Sequence, residues 1–141
     1  MRKISVLFFL FVTSLVFADP ALRPGINTDD QLSAKLIGTW RFYDPSSSSD
    51  TTFSNDGTAR GTIEYYDEQG NSAFRVDFIS EWKVENGQLI ARVSESNKPD
   101  RLPIGSRFAD TILYVSDDRF VFLSGDLRVK KVMVRNPPIV Q

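Results

Sequence analysis

Residues 72–84 alternate between two kinds of side chain, and this alternation restricts the fold more than any other feature of the sequence. The even positions are mostly apolar: Phe74, Val76, Phe78, Ser80, Trp82 and Val84. The odd positions are mostly charged: Arg75, Asp77, Ile79, Glu81 and Lys83. Because successive side chains of a strand point to opposite faces, the segment predicts a long strand with one buried face and one face in water.

The chain on either side of this segment consists of further short stretches with the same period, separated by tight turns. The Asn55-Asp56-Gly57 and Asn86-Gly87 sequences are typical of hairpin turns, and the longest loop runs from Ser96 to Ser106. We count eight strands after Gly38 with no helix between any two of them. Connections this short cannot join parallel strands, so the sequence predicts an antiparallel meander.

Eight consecutive antiparallel strands can protect their edges by forming a sandwich or by closing into a barrel. A meander closes more simply than it splits, and the long strand favours strong coiling. A barrel that spans a membrane would need an apolar outer face, which the charged positions of the long strand exclude. The predicted fold is therefore all-β, an eight-stranded antiparallel up-and-down barrel.

A short helix is predicted just before the first strand. Thr28 and Gln31 have the spacing of a capping box, and Leu32 and Leu36 share one helical face. Gly38 supplies the stop signal. The sequence thus predicts a helix of about ten residues that covers an apolar end of the barrel.

The first 18 residues have the pattern of a secretory signal peptide. Arg2 and Lys3 precede the apolar run from Ile4 to Ala18, and small residues lie near its end. The alternative is a membrane anchor, but the run has 15 residues and a bilayer span needs about 20. We therefore expect an exported protein, periplasmic or secreted. We divide the chain into a signal peptide (1–18), an extension (19–28), a barrel domain (29–136) and a tail (137–141).

The composition excludes several function classes. Histidine and cysteine are absent, so the chain has no disulfide, no Ser-His-Asp or Cys-His arrangement and none of the usual nitrogen or sulfur ligands of zinc. Without Arg2 and Lys3, 15 basic residues face 18 acidic ones, a balance that does not suggest nucleic acid. Asp77 and Glu81 share a strand face but lie about 13 Å apart, beyond the spacing of glycosidase carboxylates. We predict no enzyme activity, no cofactor and no metal.

The short helix and the Gly38-Thr39-Trp40 triplet resemble the lipocalin superfamily, and more specifically small exported bacterial lipocalin-like domains. The Ser116–Phe120 stretch also resembles a lipocalin turn signature, but more weakly. The resemblance implies that a basic residue, Arg128 or Arg135, packs across the tryptophan. It implies barrel closure by Gly38, Trp40 and Arg135, with a ligand at the opposite end. The alternative is that Trp40 only packs in the core and the arginine is solvated.

Two differences from lipocalins bear on the size of any cavity. The first loop, which usually covers the cup, is only "DPSSSS" here, and the chain is shorter than that of a typical lipocalin. A small barrel can be filled by its own side chains.

The aromatic residues of the strands are candidates for a ligand site. Apolar walls with a few polar groups are typical of such sites, whereas aromatic residues at strand period also form ordinary cores. We interpret six residues as ligand-binding: Tyr65, Phe74, Phe78, Trp82, Tyr114 and Phe122. The two tyrosines could also orient a ligand through their hydroxyl groups. The predicted function is non-enzymatic binding of a small apolar or amphipathic molecule in the barrel mouth.

The loop from Ser96 to Ser106 supports a second hypothesis. Its charges and its two prolines could present a semi-rigid surface to a protein, as in an inhibitor of an envelope or extracellular enzyme. The alternative is a solvated connection of unusual length.

Overall fold

The computed structural model describes residues 27–125 and 128–136. It contains one helix and eight strands, whose bounds are α1 (Asp29–Leu36), β1 (Gly38–Tyr43), β2 (Ser47–Phe53), β3 (Thr58–Tyr66), β4 (Ser72–Glu85), β5 (Gln88–Ser96), β6 (Arg107–Val115), β7 (Arg119–Leu123) and β8 (Lys130–Arg135). The predicted signal peptide, nearly all of the predicted extension and the predicted tail lie outside the described residues.

The strands form a closed barrel in which each strand pairs with the next and β1 pairs with β8. All eight pairings are antiparallel. The predicted eight-stranded up-and-down barrel is therefore confirmed over the sandwich. The driving force is the alternation seen in β4, where Val76, Ser80 and Trp82 are buried and the charged residues beside them are exposed.

The helix begins as the sequence predicts. Thr28 accepts a hydrogen bond from the Gln31 backbone N–H, and the Gln31 side chain accepts one from the Thr28 N–H. The helix has 8 residues rather than about ten. Asp29 in its first turn accepts hydrogen bonds at 2.8 Å from the backbone N–H groups of Asn86 and Gly87, which hold the helix over the β4–β5 turn.

The barrel has two different ends. At the closed end lie α1 and the β2–β3, β4–β5 and β6–β7 turns, and the core here contains Leu36, Trp40 and Phe120, each at most 1% exposed. At the open end lie the β1–β2, β3–β4, β5–β6 and β7–β8 connections. A ligand can enter only where the helix does not cover the barrel, so the open end positions the candidate site.

The junction between β1 and β8 is the shortest in the barrel. It consists of Trp40 opposite Arg135 and Arg41 opposite Val134, whereas β1 pairs with β2 along its whole length. Among the described residues, Phe42 and Tyr43 have no partner on β8. The junction thus holds the two strands together at the closed end and lets them separate toward the open end.

Candidate functional site

Trp40 closes the barrel beside the helix. Its side chain is fully buried, and its Nε1 donates a 2.8 Å hydrogen bond to the carbonyl oxygen of Leu36. Its ring meets the Phe120 ring edge-on at 6.0 Å. The indole therefore satisfies one carbonyl at the C-terminus of α1 and fills the space below the helix.

Arg135 lies across the outer side of Trp40. Its guanidinium carbon is 4.2 Å from the centre of the indole ring. It donates hydrogen bonds to the carbonyl oxygens of Ile37 at 2.8 Å and Lys35 at 2.9 Å, and a third to Asp117 O. One side chain thus joins β8, the C-terminus of α1 and the β6–β7 turn.

Glycine is required at position 38 for two reasons. Its φ of 121° lies in the region that L side chains avoid, and a Cβ there would collide with the guanidinium of Arg135. Of the two arginines that the resemblance left open, Arg135 is the one that packs on Trp40. Arg128 precedes β8.

A small chamber lies in the barrel above the closed end, with a volume of about 160 Å³. We call this space the chamber. Most of its lining side chains are apolar, and its walls are formed by Thr51, Phe53, Ile63, Phe78, Ser80, Leu89, Ala91, Val93, Leu102, Phe108, Asp110, Phe120, Phe122 and Met133. Leu102 in this lining comes from the β5–β6 loop, whereas the other lining residues lie on strands.

Two hydroxyl groups belong to the chamber lining. Ser80 is only 3% exposed, yet its Oγ has no hydrogen-bond partner among the described residues, and neither has the Oγ1 of Thr51. No buried side-chain nitrogen or oxygen lacks a partner in the described chain, so Ser80 Oγ is not sealed in the wall and faces the chamber. This hydroxyl can therefore pair with a water or with a polar atom of a ligand in the chamber.

The β5–β6 loop, residues 97–106, is folded against the barrel. Its backbone carries the bonds Gly105 N–H to Val93 O at 2.7 Å and Val93 N–H to Ser106 O at 2.9 Å. Arg101 lies 5.0 Å above the centre of the Phe74 ring. With Leu102 in the chamber wall, this loop provides the cover that the short first loop does not.

A wider space of about 510 Å³ lies at the open end beside the separated part of β1 and β8. We call it the vestibule, and its lining is Phe42, Ser49, Phe108, Asp110, Phe122, Ser124, Gly125, Lys131 and Met133. It shares Phe108, Asp110, Phe122 and Met133 with the chamber, so the two spaces adjoin each other.

The vestibule carries one charge of each sign. Lys131 Nζ lies 5.1 Å from the centre of the Phe42 ring. The Asp110 carboxylate accepts a hydrogen bond from the Gly125 backbone N–H at 3.0 Å. The arrangement offers a donor and an acceptor at the entrance of an apolar chamber, which is the pattern of a site for an amphipathic molecule.

The structure brings together only some of the six predicted ligand residues. Phe78 and Phe122 line the chamber. Tyr65 and Phe74 stack on each other at 4.5 Å near the open end, where Arg101 covers Phe74. These four agree with a site on the open side of the barrel.

Trp82 lies at the closed end instead. Its Nε1 donates to the carbonyl oxygens of Ser54 at 3.1 Å and Thr58 at 2.9 Å, and its ring packs edge-on against Phe53 at 5.1 Å. It therefore holds the β2–β3 turn and is not part of the chamber lining.

Tyr114 does not face the interior, so it does not line the chamber or the vestibule, contrary to the expectation from the sequence. Its side chain is 54% exposed and pairs with Val121 on the outer face. The register shifts between Ile112 and Tyr114, so Leu113 is an extra residue in β6. Such a bulge reverses the alternation, and Val115 takes the inward position that the sequence pattern assigns to its neighbour.

Sequence reasoning missed three important wall residues. Phe108 and Lys131 lie on inward positions of β6 and β8, and period-two spacing from Ile112 and Met133 would have identified them. Leu102 lies in a loop rich in charge and proline, where only its apolar character was a signal.

The outer face carries charge pairs. Arg41 and Asp50 form a two-point ion pair at 2.8 and 2.9 Å, which raises the pKa of Arg41. Asp77 accepts hydrogen bonds from Arg75 and Thr62, and these lower the pKa of its carboxyl group. Both pairs are solvent-exposed, so they contribute little to stability.

Two further searches of the described residues gave no site. No group of three or more acidic, histidine or cysteine side chains is placed to hold a metal ion in residues 27–125 and 128–136. Within the same ranges, no helix is long and apolar enough to cross a membrane.

Comparison with known proteins found similarity to solved structures but not to known sequences. No protein-family model matches the chain, and no curated protein sequence matches it either. A lipocalin-like protein from Bacteroides uniformis is similar in structure, with a TM-score of 0.48 and 11% sequence identity. The match covers 72% of this chain and 99% of that one.

Proposed function

We propose that this chain is an exported barrel protein that binds a small apolar or amphipathic molecule through its open end, without catalysing a reaction. The observation that carries the proposal is the chamber, an apolar space beside a vestibule that has one charge of each sign, with the closed end sealed by Trp40 and α1. Most of its wall is apolar, and a few polar groups converge on it, as in ligand sites generally.

The volume of the chamber restricts the size of the ligand. Pockets for drug-sized molecules measure about 300–1,000 Å³, and the chamber measures about 160 Å³. An engineered apolar cavity of about 150 Å³ holds benzene. We therefore propose a ligand whose apolar part is no larger than a phenyl ring or a short branched chain.

Ser80 adds a requirement for polarity. Its hydroxyl faces the chamber without a partner among the described residues. A purely apolar ligand would displace water from this hydroxyl and leave it unpaired, which costs about 1–3 kcal/mol. A ligand that carries a hydrogen-bonding atom near Ser80 would recover this free energy, so we favour an amphipathic ligand over a pure hydrocarbon.

Titration with benzyl alcohol, a small neutral amphiphile, tests the proposal. We expect saturable shifts of the methyl resonances of Leu89, Val93 and Met133, which line the chamber. Ala91→Leu should weaken binding because it fills part of the chamber. Ala109→Leu is the matched control, since Ala109 is exposed on the outer face of β6.

The outcome of this titration decides the proposal. Absence of saturable shifts in the wild-type protein would refute it, as would equal binding by Ala91→Leu and the wild-type chain. Should Ala91→Leu fail to fold, Ser80→Val serves as a second filling variant.

A second function, recognition of a protein by the Ser96–Ser106 loop, is supported by one observation. Ile104 is 61% exposed on a loop whose backbone is hydrogen-bonded to β5. An exposed apolar side chain on a loop that is held by backbone hydrogen bonds offers a contact for a protein partner. Ile104→Ser should abolish capture of an envelope protein and leave the affinity for benzyl alcohol unchanged. Leu102→Ala should lower the affinity for benzyl alcohol more than it lowers capture of the envelope protein.

A further inference from the structure

Lys131 lines the vestibule and forms no ion pair with any other described residue of the barrel. It is half-buried and points inward, opposite Phe122 in the β7–β8 register. Among the described residues, no carboxylate lies within 4.0 Å of its ammonium group, and its recorded contact is with the Phe42 ring. The four recorded ion pairs involve other cations.

We propose that Lys131 binds the carboxylate of the ligand, and that the natural ligand is a small monocarboxylate with a compact apolar group. This inference rests on the proposed function, because it names the head group and the tail of the molecule bound there. Lys131 supplies the charge, and the chamber takes the apolar group.

The surroundings of Lys131 favour an anion. The Phe42 ring centre lies 5.1 Å from the ammonium, and the Lys131 side chain is half-buried, so water reaches the ammonium from fewer sides than it would on the outer surface. A partly desolvated cation attracts an anion more strongly than a fully hydrated one. Charge-assisted hydrogen bonds between ammonium and carboxylate are about twice as strong as neutral ones.

Asp110 restricts the anion to a single charge. Its carboxylate lines both the vestibule and the chamber, and the Gly125 backbone N–H holds one of its oxygens. Asp110 repels any anion in this space, and Lys131, the one cation among the described residues of the vestibule lining, can offset that repulsion for one charge but not for a second. We therefore expect dicarboxylates and phosphate esters to bind more weakly than monocarboxylates.

The register of β8 sets the distance between head group and tail. Lys131 and Met133 are successive inward residues, opposite Phe122 and Phe120. Two residues of a strand span about 7 Å. Met133 and Phe120 line the chamber, so a phenyl group there and a carboxylate at Lys131 need a linker of a few carbons. A long unbranched acid would leave most of its chain outside the chamber.

The test compares 3-phenylpropionate with its neutral amide by calorimetry. Three chains are used: the wild-type protein, Lys131→Met, and Lys130→Met. Methionine keeps an unbranched side chain and removes the charge. Lys130 is the matched control because it is the adjacent lysine, exposed and outside the vestibule lining.

We expect the wild-type protein to prefer the acid by about tenfold, as a charge-assisted bond implies. The preference should vanish in Lys131→Met, with affinity for the amide unchanged, and should persist in Lys130→Met. Persistence of the acid preference in Lys131→Met would overturn the inference. Lys131→Gln gives the same comparison if the methionine variant does not fold.

The two proposals fail in different ways. Equal binding of acid and amide by the wild-type chain would overturn the role of Lys131 and leave ligand binding in the chamber intact. Binding of neither compound, together with no response to benzyl alcohol, would overturn the proposed function itself. Tighter binding of a long-chain acid than of 3-phenylpropionate would refute the compact tail.

Discussion

Replacement of Arg135 by methionine is the sharpest test of how the barrel is closed. The change removes a guanidinium that lies 4.2 Å from the Trp40 ring centre and donates to the carbonyl oxygens of Lys35, Ile37 and Asp117. The carbonyls of Lys35 and Ile37 lie at the C-terminus of α1 and would lose this hydrogen-bond donor. The carbonyl of Asp117 lies in the β6–β7 turn and would lose the same donor.

The magnitude follows from these contacts. A cation–π contact contributes about 0.5–2 kcal/mol, and hydrogen bonds from a charged group contribute about 1.5–3 kcal/mol each when buried. Arg135 is half-buried and water can replace part of these bonds, so we discount the sum. We expect a loss of about 3 kcal/mol in the free energy of unfolding. For a domain of this size, that corresponds to a fall of about 12 °C in Tm.

The assay is urea and thermal unfolding followed by tryptophan fluorescence, with two comparison variants. Arg119→Met makes the same change on β7, where the side chain is exposed, and should change stability by less than about 0.5 kcal/mol. Arg135→Lys should give an intermediate loss, because an ammonium keeps the charge but lacks the planar fork. If Arg135→Met destabilises the chain no more than Arg119→Met, the closure described above is wrong.

Three further predictions follow from other parts of the chain. Ser80→Ala should change the stability of the ligand-free protein by less than about 0.5 kcal/mol, since the hydroxyl reaches the chamber, where a water can pair with it, and should weaken benzyl alcohol binding; unchanged affinity for benzyl alcohol would contradict this. The pKa of Asp44 is lowered by hydrogen bonds from the Ser46 hydroxyl and from backbone N–H groups. Its stabilising effect is therefore present above the ordinary aspartate pKa of about 3.9 and is lost as the pH falls through the lower folded value. The stability advantage of the wild-type chain over Asp44→Asn should accordingly shrink below about pH 4, and an advantage that grows on acidification would show that the carboxylate is not stabilised. Expression of the full chain in a bacterial host should give an exported product that begins at Asp19 by N-terminal sequencing; retention of residues 1–18 on a membrane-bound product would favour the anchor.

The barrel could be predicted from the sequence because the turn residues and the alternation within single strands are consistent with the observed pairing of the strands. The turns at Asn55-Asp56-Gly57 and Asn86-Gly87 lie where hairpins form, and β4 alternates along its whole length. The closure by Trp40 and Arg135 came from the resemblance to lipocalins, and the structure supplies the cation–π contact that it implied.

The site was less predictable, because it depends on contacts between distant strands. The bulge at Leu113 places Tyr114 on the outer face, and the amino-acid sequence of β6 contains no signal for that extra residue. Trp82 faces the interior, as the alternation in β4 predicts. Its position along the strand, however, places it at the closed end and not in the chamber. Leu102 enters the wall only because its loop folds back onto β5.

The volume of the chamber could not be read from composition either. It depends on how side chains from different strands meet, as where Phe78 on β4 occupies the space beside Gly61, its partner on the adjacent strand β3. Such packing is a property of the closed barrel and not of any one strand.

The most direct test of ligand binding is to locate benzyl alcohol by intermolecular nuclear Overhauser effects in the saturated complex. We predict contacts from the phenyl protons to the methyl groups of Leu89, Val93 and Met133 inside the barrel. Val132 and Val134, which are exposed on the outer face of β8, should show none. Contacts confined to these two outer valines, with none to the chamber, would contradict the account.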